Sequence, residues 1–339
     1  MSQIILGIES SCDETSASVC INGKIISNII AGQTVHQNYG GVVPELASRV
    51  HQQNIIPSVH QAIIDAKINK KDINAVAFTR GPGLLGSLLV GVSFAKAFAL
   101  GLNIPLIEVN HVQAHILAHF ITPKNSQNHI FPTFPFLCLT VSGGHTQIVL
   151  VKNYFDMEII GQTLDDAAGE AFDKTAKILG LPYPGGPLVD KYAQLGQPIY
   201  KFTEPNIADL NFSFSGLKTA ILYFVRDNVK TNPNFLAQNM NNICASVQSR
   251  IVSILINKLK KAAKLHNITQ IAIAGGVSAN SGLRAALKAE AQINNWQTFI
   301  PDFEYCTDNA AMIAIAGHYK FLNNDFVGQD ISPMPRMAI

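Results

Sequence analysis

Ile4-Ile5-Leu6-Gly7-Ile8-Glu9-Ser10-Ser11-Cys12-Asp13-Glu14-Thr15 stands near the start of the chain, and Phe136-Leu137-Cys138-Leu139-Thr140-Val141-Ser142-Gly143-Gly144-His145-Thr146 repeats its design. Each is a short apolar run that reads as a strand and ends in a polar or glycine-rich turn. A second β-rich run follows each turn. Ser16 to Ile21 is closed by the hairpin pair Asn22-Gly23, and Gln147 to Val151 is closed near Asn153. The same unit thus opens each half of the chain. It predicts two similar α/β lobes, each with a mixed sheet, facing one another across a cleft.

The remaining periodicity fits that plan. Ala75 to Thr79 reads as a strand before Arg80-Gly81-Pro82-Gly83, and a helical pattern runs from Leu84 to Leu100. Ile104 to Val109 is a strand that feeds a histidine-bearing helix. Later come an amphipathic helix over Ala245 to His266, a buried strand over Ile271 to Ala274 and a helix from Asn280 to Ala289. A last helix is expected over Asp308 to Leu322, followed by an irregular tail containing Pro333 and Pro335. With 339 residues, two lobes are the default. The expected division is 1–131 and 132–307, with the helix and tail of about 308–339 returning to the first lobe.

Composition narrows the class. Hydrophobic residues make up 47% and charged residues 14%, which describes a well-buried globular protein. A formal net charge of +2 is too small to attract a nucleic acid by itself, so an RNA partner needs a local basic patch or a companion protein. Cys12, Cys20, Cys138, Cys244 and Cys306 are odd in number and contain no C-x-x-C pair, as expected for a reducing cytoplasm. No signal peptide is expected, because Glu9 and Asp13 interrupt the first apolar run. Leu84 to Leu106 resembles a membrane span in hydropathy. Lys96, Asn103, Pro105 and several glycines make it a buried helix and strand instead, with no membrane partner expected.

The chemistry concentrates in Asn110-His111-Val112-Gln113-Ala114-His115-Ile116-Leu117-Ala118-His119. Residues four apart stack on a helix, so His111 and His115 can aim at one point, and imidazole is a common metal ligand. A zinc-protease motif needs Glu directly after the first histidine, and Val112 stands there. Asp308, near the start of the last helix, is the expected oxygen ligand, although Thr307 or Asp308 could equally serve as that helix's cap. His119 is expected to be structural.

Four turns combine an apolar strand, glycines and a helix start: Arg80-Gly81-Pro82-Gly83, Ser142-Gly143-Gly144-His145, Tyr183-Pro184-Gly185-Gly186-Pro187 and Gly275-Gly276-Val277-Ser278-Ala279-Asn280. At carboxyl ends of strands they predict a nucleotide cleft, and none matches a Walker A or dinucleotide pattern. Asp13 and Glu14 occupy the first polar turn. Leu164 to Lys174, read as a helix, would align Asp166, Glu170 and Asp173, and Asp173 and Asp190 suit hydroxyl or amine groups of a ligand.

Taken in order, these segments resemble one family. Gly7 to Thr15, Arg80 to Gly83, the His111/His115 helix, Val141 to Thr146, Gly169 to Lys174, Tyr183 to Pro187, Phe212 to Lys218, Gly275 to Asn280 and Thr307-Asp308-Asn309 are similar to the TsaD-type tRNA N6-adenosine threonylcarbamoyltransferases. These proteins were once described as O-sialoglycoprotein endopeptidases. One departure is Gln113, where many relatives carry Glu. The resemblance implies an α/β, two-lobed actin/Hsp70-like (ASKHA) fold with duplicated ribonuclease-H-like lobes. It implies transfer of threonylcarbamoyl from threonylcarbamoyl-AMP to N6 of the adenosine 3′ of the anticodon, in tRNAs reading codons that begin with A. His111, His115 and Asp308 would hold one divalent ion, Fe2+ or Zn2+. Thr140, Val141, Ser142, Gly143, Gly144, Asp173, Gly186, Asp190 and Asn280 would hold the acyl-adenylate. Asp13, Glu14 or His145 would take the N6 proton. Implied partners are tRNA, a TsaB-like paralogue and a TsaE-like ATPase. A metal-dependent glycoprotease and an ASKHA-type ATPase or kinase are the competing classes.

Overall fold

The computed structural model describes residues 2–122 and 129–339. Two compact units emerge, Met1–Pro132 with Pro301–Ile339, and Thr133–Ile300.

The first unit is built on β1 (Ile4–Glu9), β2 (Thr15–Ile21), β3 (Lys24–Ala31), β4 (Ala75–Gly81) and β5 (Leu106–Asn110), in the order β3-β2-β1-β4-β5. β1, β2 and β3 pair antiparallel, while β4 and β5 add on in parallel. The two faces of β1 have different partners, as the two-residue period of a strand requires. Ile4, Leu6 and Ile8 join a core with Ile55, Val59 and Ala62 of α1 (Pro44–Asp65) and Val92, Ala95 and Ala99 of α2 (Leu85–Leu102). Gly7, on the other face, lies under α9 (Ala310–Leu322): a Cβ there would come within 2.6 Å of the Ala310 carbonyl oxygen and 2.7 Å of the Ala314 nitrogen. Burial on both faces explains why β1 reads as an unbroken apolar run.

α2 is long and apolar enough, by length and composition, to cross a membrane. Its Ser87, Leu88, Gly91, Val92, Ala95 and Ala99 are buried inside the unit, and Lys96 Nζ donates to the Ile331 carbonyl. One face of this helix is thus packed in the unit, while Leu85, Leu89 and Leu100 on the rest of its surface are exposed, and the start of β5 follows it.

The second unit repeats the plan. β6 (Phe136–Val141), β7 (Thr146–Val151), β8 (Met157–Gln162), β9 (Gln270–Ala274) and β10 (Gln297–Phe299) are ordered β10-β9-β6-β7-β8. Again the first three are antiparallel and the last two parallel. Strand for strand, β6 to β10 reproduce β1 to β5, and each outer hairpin carries one register shift, at Val19/Cys20 and at Ile148/Val149. This is the ribonuclease-H-like sheet occurring twice. Its helices are α4 (Ala168–Ile178), α5 (Gly185–Ala193), α6 (Ser215–Thr231), α7 (Phe235–His266) and α8 (Ser281–Asn294).

Several sequence expectations need correction. The helix expected over Leu164 to Lys174 begins only at Ala168. Asp165 is left to accept hydrogen bonds from the Ser213 hydroxyl and the Phe214 and Ser215 backbone at the start of α6, a better use of its carboxylate than a helix face. Asp166 and Glu170 both pair with Lys174, whereas Asp173 faces elsewhere. Tyr183 to Pro187 follows a helix rather than a strand, and Ser142 to His145 joins two strands. The helix foreseen from Ala245 starts at Phe235.

We expect Gly7→Ala to lower unfolding stability by about 1–3 kcal/mol, because its methyl meets α9 backbone that cannot swing aside. Chemical denaturation of the two proteins measures this, and an unchanged midpoint would mean that α9 is not seated on β1 as described.

Candidate functional site

The histidine helix begins directly at the end of β5. Asn110 caps it, its Oδ1 accepting from the Val112 and Gln113 backbone nitrogens, so α3 (His111–Leu117) starts with His111 in its first turn. The two rings lie 4.7 Å apart, edge to face. Nε2 of His115 is 3.1 Å, and Nε2 of His111 3.4 Å, from one oxygen of Asp308. His119 is buried but lies outside α3, in the single 3-10 turn Ala118–Phe120.

Asp308 is available because other groups cap α9. The Ala310 nitrogen donates to Ser16 Oγ, the Ala311 nitrogen to Asn28 Oδ1 and the Met312 nitrogen to Asn309 Oδ1. Asn309 is therefore the cap, in place of Thr307 or Asp308. With the first amides of the helix satisfied by β2, β3 and Asn309, the carboxylate of Asp308 turns to the histidines.

Glu9, at the end of β1, supports the opposite side of His111. Fully buried, it accepts from the Ser11 nitrogen (2.5 Å) and Thr79 Oγ1 (2.6 Å) and faces His111 Nδ1 at 3.1 Å. That bond leaves Nε2 of His111 pointing at Asp308, the arrangement in which a carboxylate orients a metal-binding imidazole. Burial works against charge on each of these groups, but they compensate one another. Facing carboxylates push His111 well up, and His111 holds Asp308 and Glu9 down. Burial together with the neighbouring Asp308 and Asp13 pushes Glu14 well up. The facing carboxylates of Glu9 and Asp308 favour positive charge between them.

A metal ion fits this group. His111, His115 and Asp308 offer one ligand atom each, all within 4.8 Å of one another. Two imidazoles and one carboxylate form a donor set suited to iron(II) or zinc with positions left open. Nδ1 of His115 is buried without a hydrogen-bond partner among the described residues, so the ring's polar contact runs through Nε2 alone.

The turn carrying Asp13 and Glu14 is braced from two helices. The Cys12 carbonyl accepts from His51 Nε2 and Ser87 Oγ, and the remaining His51 nitrogen takes the Thr15 hydroxyl at 2.8 Å. In the same unit, the Arg80 to Gly83 turn holds protein rather than an anion. A Cβ on Gly81 would collide with the Met334 carbonyl, so this glycine admits the segment that follows α9.

In the second unit, most of the expected ligand-binding side chains tie helix starts together. Asp173 Oδ1 accepts from the Gly185 and Gly186 nitrogens that open α5. Asp190 on α5 accepts from the Ser281 nitrogen (3.1 Å) and hydroxyl (2.6 Å) at the start of α8. Asn280 caps α8 through Oδ1 and donates to Gln248 Oε1 on α7. Thr140 and Val141 are buried at the end of β6, and Ser142 Oγ accepts from the Gly144 and His145 nitrogens. A Cβ on Gly143 or Gly144 would meet nothing within 4 Å, so these exposed glycines border open space. Beside α5, α7 and α8 lies a cavity of about 510 Å³, lined by Ala193, Ala245, Gln248, Val252, Gly282 and Ala286 among others. None of Thr140 to Gly144, Asp173, Gly186, Asp190 or Asn280 lines it.

Residues 24–315 match the model of the TsaD family, tRNA N6-adenosine threonylcarbamoyltransferase. A protein of that name from Christiangramia forsetii is 64% identical over 333 residues, covering 98% of this chain and 97% of its own. One from Phocaeicola vulgatus is 58% identical and covers both chains completely. This chain belongs to the TsaD family. The fold extends further. The HypF structure of T. kodakarensis superposes on 96% of this chain and 48% of its own, with a TM-score of 0.64 at 14% identity. Full-length HypF in its phosphate- and nucleotide-bound form gives a TM-score of 0.62 at 12% identity, over 96% of this chain and 47% of that one. With these neighbours, the two repeated sheets identify a two-lobed actin/Hsp70-like (ASKHA) fold.

For this TsaD-family enzyme, sequence reasoning singled out His111, His115 and Asp308, which the fold brings together. It passed over Glu9, Asn110, Gln248 and Ser281, whose side chains orient the others. Only Glu9 left a signal, as a charged residue ending an otherwise apolar strand.

Two measurements follow. Zinc titration should show His115→Ala binding weaker by roughly a hundredfold or more, and Glu9→Gln weaker by about ten- to a hundredfold; unchanged affinity in both would exclude the site. The second concerns Asp165. Burial raises its pKa, but the bonds from Ser213, Phe214 and Ser215 outweigh burial and hold it below the ordinary value. Its contribution to stability is therefore complete above about pH 4, the unfolded value, and disappears as pH falls through the lower folded value. Asp165→Asn should thus be destabilised at pH 7, with the difference closing below about pH 4; a difference that persisted in acid would contradict the assignment.

Proposed function

We propose that this enzyme makes N6-threonylcarbamoyladenosine by moving the threonylcarbamoyl group of threonylcarbamoyl-AMP to N6 of the adenosine immediately 3′ of the anticodon, in tRNAs reading codons that begin with A. Membership of the TsaD family over nearly the whole chain carries this reading. In the reaction the N6 nitrogen attacks the carbamoyl carbon, the bond from that carbon to the phosphate oxygen breaks, AMP leaves, and N6 loses a proton. The donor is already activated. The protein's task is to position it, to neutralise charge and to receive that proton.

His111, His115 and Asp308 would hold one divalent ion, iron(II) or zinc, which supplies Lewis-acid polarisation of a carbonyl when bound. Glu9 keeps the His111 ring turned for that role. Thr140 to Gly144, Asp173, Gly186, Asp190 and Asn280 would hold the adenylate. The open approach at Gly143 and Gly144 supports this, with Asp173, Asp190 and Asn280 keeping the surrounding helix starts rigid. Asp13, Glu14 or His145 would take the N6 proton. The net charge of +2 supplies little long-range attraction for tRNA, consistent with work alongside a TsaB-like paralogue and a TsaE-like ATPase in the cytoplasm.

A protease reading finds no support at the histidines. Val112 occupies the position of the required base, and of the two carboxylates that face His111, Asp308 is shared with His115 and Glu9 is enclosed and already bonded to Ser11 and Thr79.

Depletion of the protein, followed by mass spectrometry of tRNA nucleosides, should show threonylcarbamoyladenosine falling with it. Re-expression of the wild-type chain should restore the nucleoside, and His111→Ala should not. Unchanged nucleoside levels on depletion would refute the proposal.

A further inference from the structure

The segment that follows α9 does not trail away. Val327 N donates to the Leu106 carbonyl, Met334 N to the Arg80 carbonyl, and Gly83 N to the Pro335 carbonyl. Arg80 Nε and Lys96 Nζ donate to the carbonyls of Ser332 and Ile331. The chain thus runs along the ends of β4 and β5 and over the Arg80 to Gly83 turn, where Gly81 lacks the Cβ that would block it. Its last contact is the informative one. Asn110 Nδ2 donates to the Ala338 carbonyl at 2.8 Å.

Asn110 has two ends with two tasks. Its Oδ1 accepts from Val112 and Gln113, the first free amides of the helix that carries His111 and His115. Its Nδ2 is held by Ala338. An asparagine amide is planar, so fixing the donor end fixes the acceptor end. Asn110 is also only 2% exposed, which leaves water little part in holding it.

We propose that Asn110 is a positioning residue for the metal ligands, and that the 331–338 segment is the strap that sets it. Through the Ala338 carbonyl the strap orients the Asn110 amide. The amide fixes the first turn of α3, and that turn places His111 opposite Glu9 and Asp308. This inference rests on the reading of His111, His115 and Asp308 as a metal site, and adds to it a dependence on a segment distant in sequence.

The test uses the full chain with Zn2+ alone as probe, measured by calorimetry, with thermal melting and amide hydrogen exchange of the metal-free protein alongside. Asn110→Asp keeps the cap acceptor but removes the donor to Ala338. Deleting residues 336–339 removes the carbonyl while leaving Pro335 on Gly83. Each should weaken zinc binding by about tenfold, the usual size of a lost outer-shell contact. Each should also speed exchange at Val112 and Gln113 while the global melting point stays within a few degrees. Combined, they should cost no more than Asn110→Asp alone, since the deletion removes the carbonyl that the new carboxylate would face. Wild-type affinity in either variant, or additive losses in the double variant, would overturn the proposal. His115→Ala serves as the reference. If it loses zinc while Asn110→Asp does not, the strap fails and the metal site stands; if it keeps zinc, both fail together.

Discussion

The seating of α9 on β1 is the contact on which the rest of this molecule depends. It works because both surfaces are small: Gly7 on the strand leaves room for the helix backbone, and Gly317 on the helix would, with a Cβ, approach Ile5 of β1 to 3.3 Å and Ala77 of the adjoining β4 to 2.4 Å. Close approach buries Ala310 through Ala316 completely or nearly so, and this fixes the helix axially as well as laterally. Axial position matters because Asp308 stands just before the helix. A shift by one residue would carry its carboxylate away from His111 and His115. The residues that stop such a shift are Ser16 and Asn28, which bind the Ala310 and Ala311 amides from the neighbouring strands. The sheet therefore measures out the position of a ligand that arrives almost two hundred residues after the histidines.

What this precision serves is a buried arrangement of charge. Glu9, His111 and Asp308 form a line in which a cation-capable ring lies between two carboxylates. Removing one member of such a set costs several kcal/mol, because the others are left buried and uncompensated. The line is therefore stable only with positive charge at its centre, carried by a protonated imidazole or by an ion that His111 and His115 share with Asp308. An ion bound there would have to displace the proton from His111, so metal affinity at this group should fall as pH is lowered. The donor set, two imidazoles and a carboxylate within 4.8 Å of one another, is what points to a metal.

Legibility from sequence followed periodicity. β1, β6, β4 and β9 are apolar on both faces and their pattern marks them within a residue or two, so the duplication, and with it the fold class, is visible in the sequence. α1 is not. Arg49, His51, Gln52, Gln53 and Asn54 interrupt its apolar stripe and Pro57 lies inside it, and it shows as a helix only once α2 and the sheet provide a surface. β3 and β8 are outer strands with mixed exposure, which gives a weak signal. At the site, the histidine spacing is local and was readable. Glu9 and Asn110 act through partners across the fold, Thr79 and Ala338, and no spacing rule records such a relation.

The glycine-rich turns show the same limit most sharply. As letters, Arg80-Gly81-Pro82-Gly83 and Ser142-Gly143-Gly144-His145 belong to one class. In the fold, a side chain on Gly81 would strike Met334, whereas one on Gly143 or Gly144 would meet empty space. The first pair of glycines is spent on the protein's own chain, and the second is left for something else. Gly275 belongs with the first: its φ of +83° and the Val141 carbonyl 2.5 Å from an added Cβ are requirements of the β6–β9 junction itself. A glycine next to a strand end thus announces close approach without saying what approaches. Gly81 and Gly275 are accounted for by the protein's own chain, whereas Gly143 and Gly144 border open space, as Gly216 and Gly276 also do.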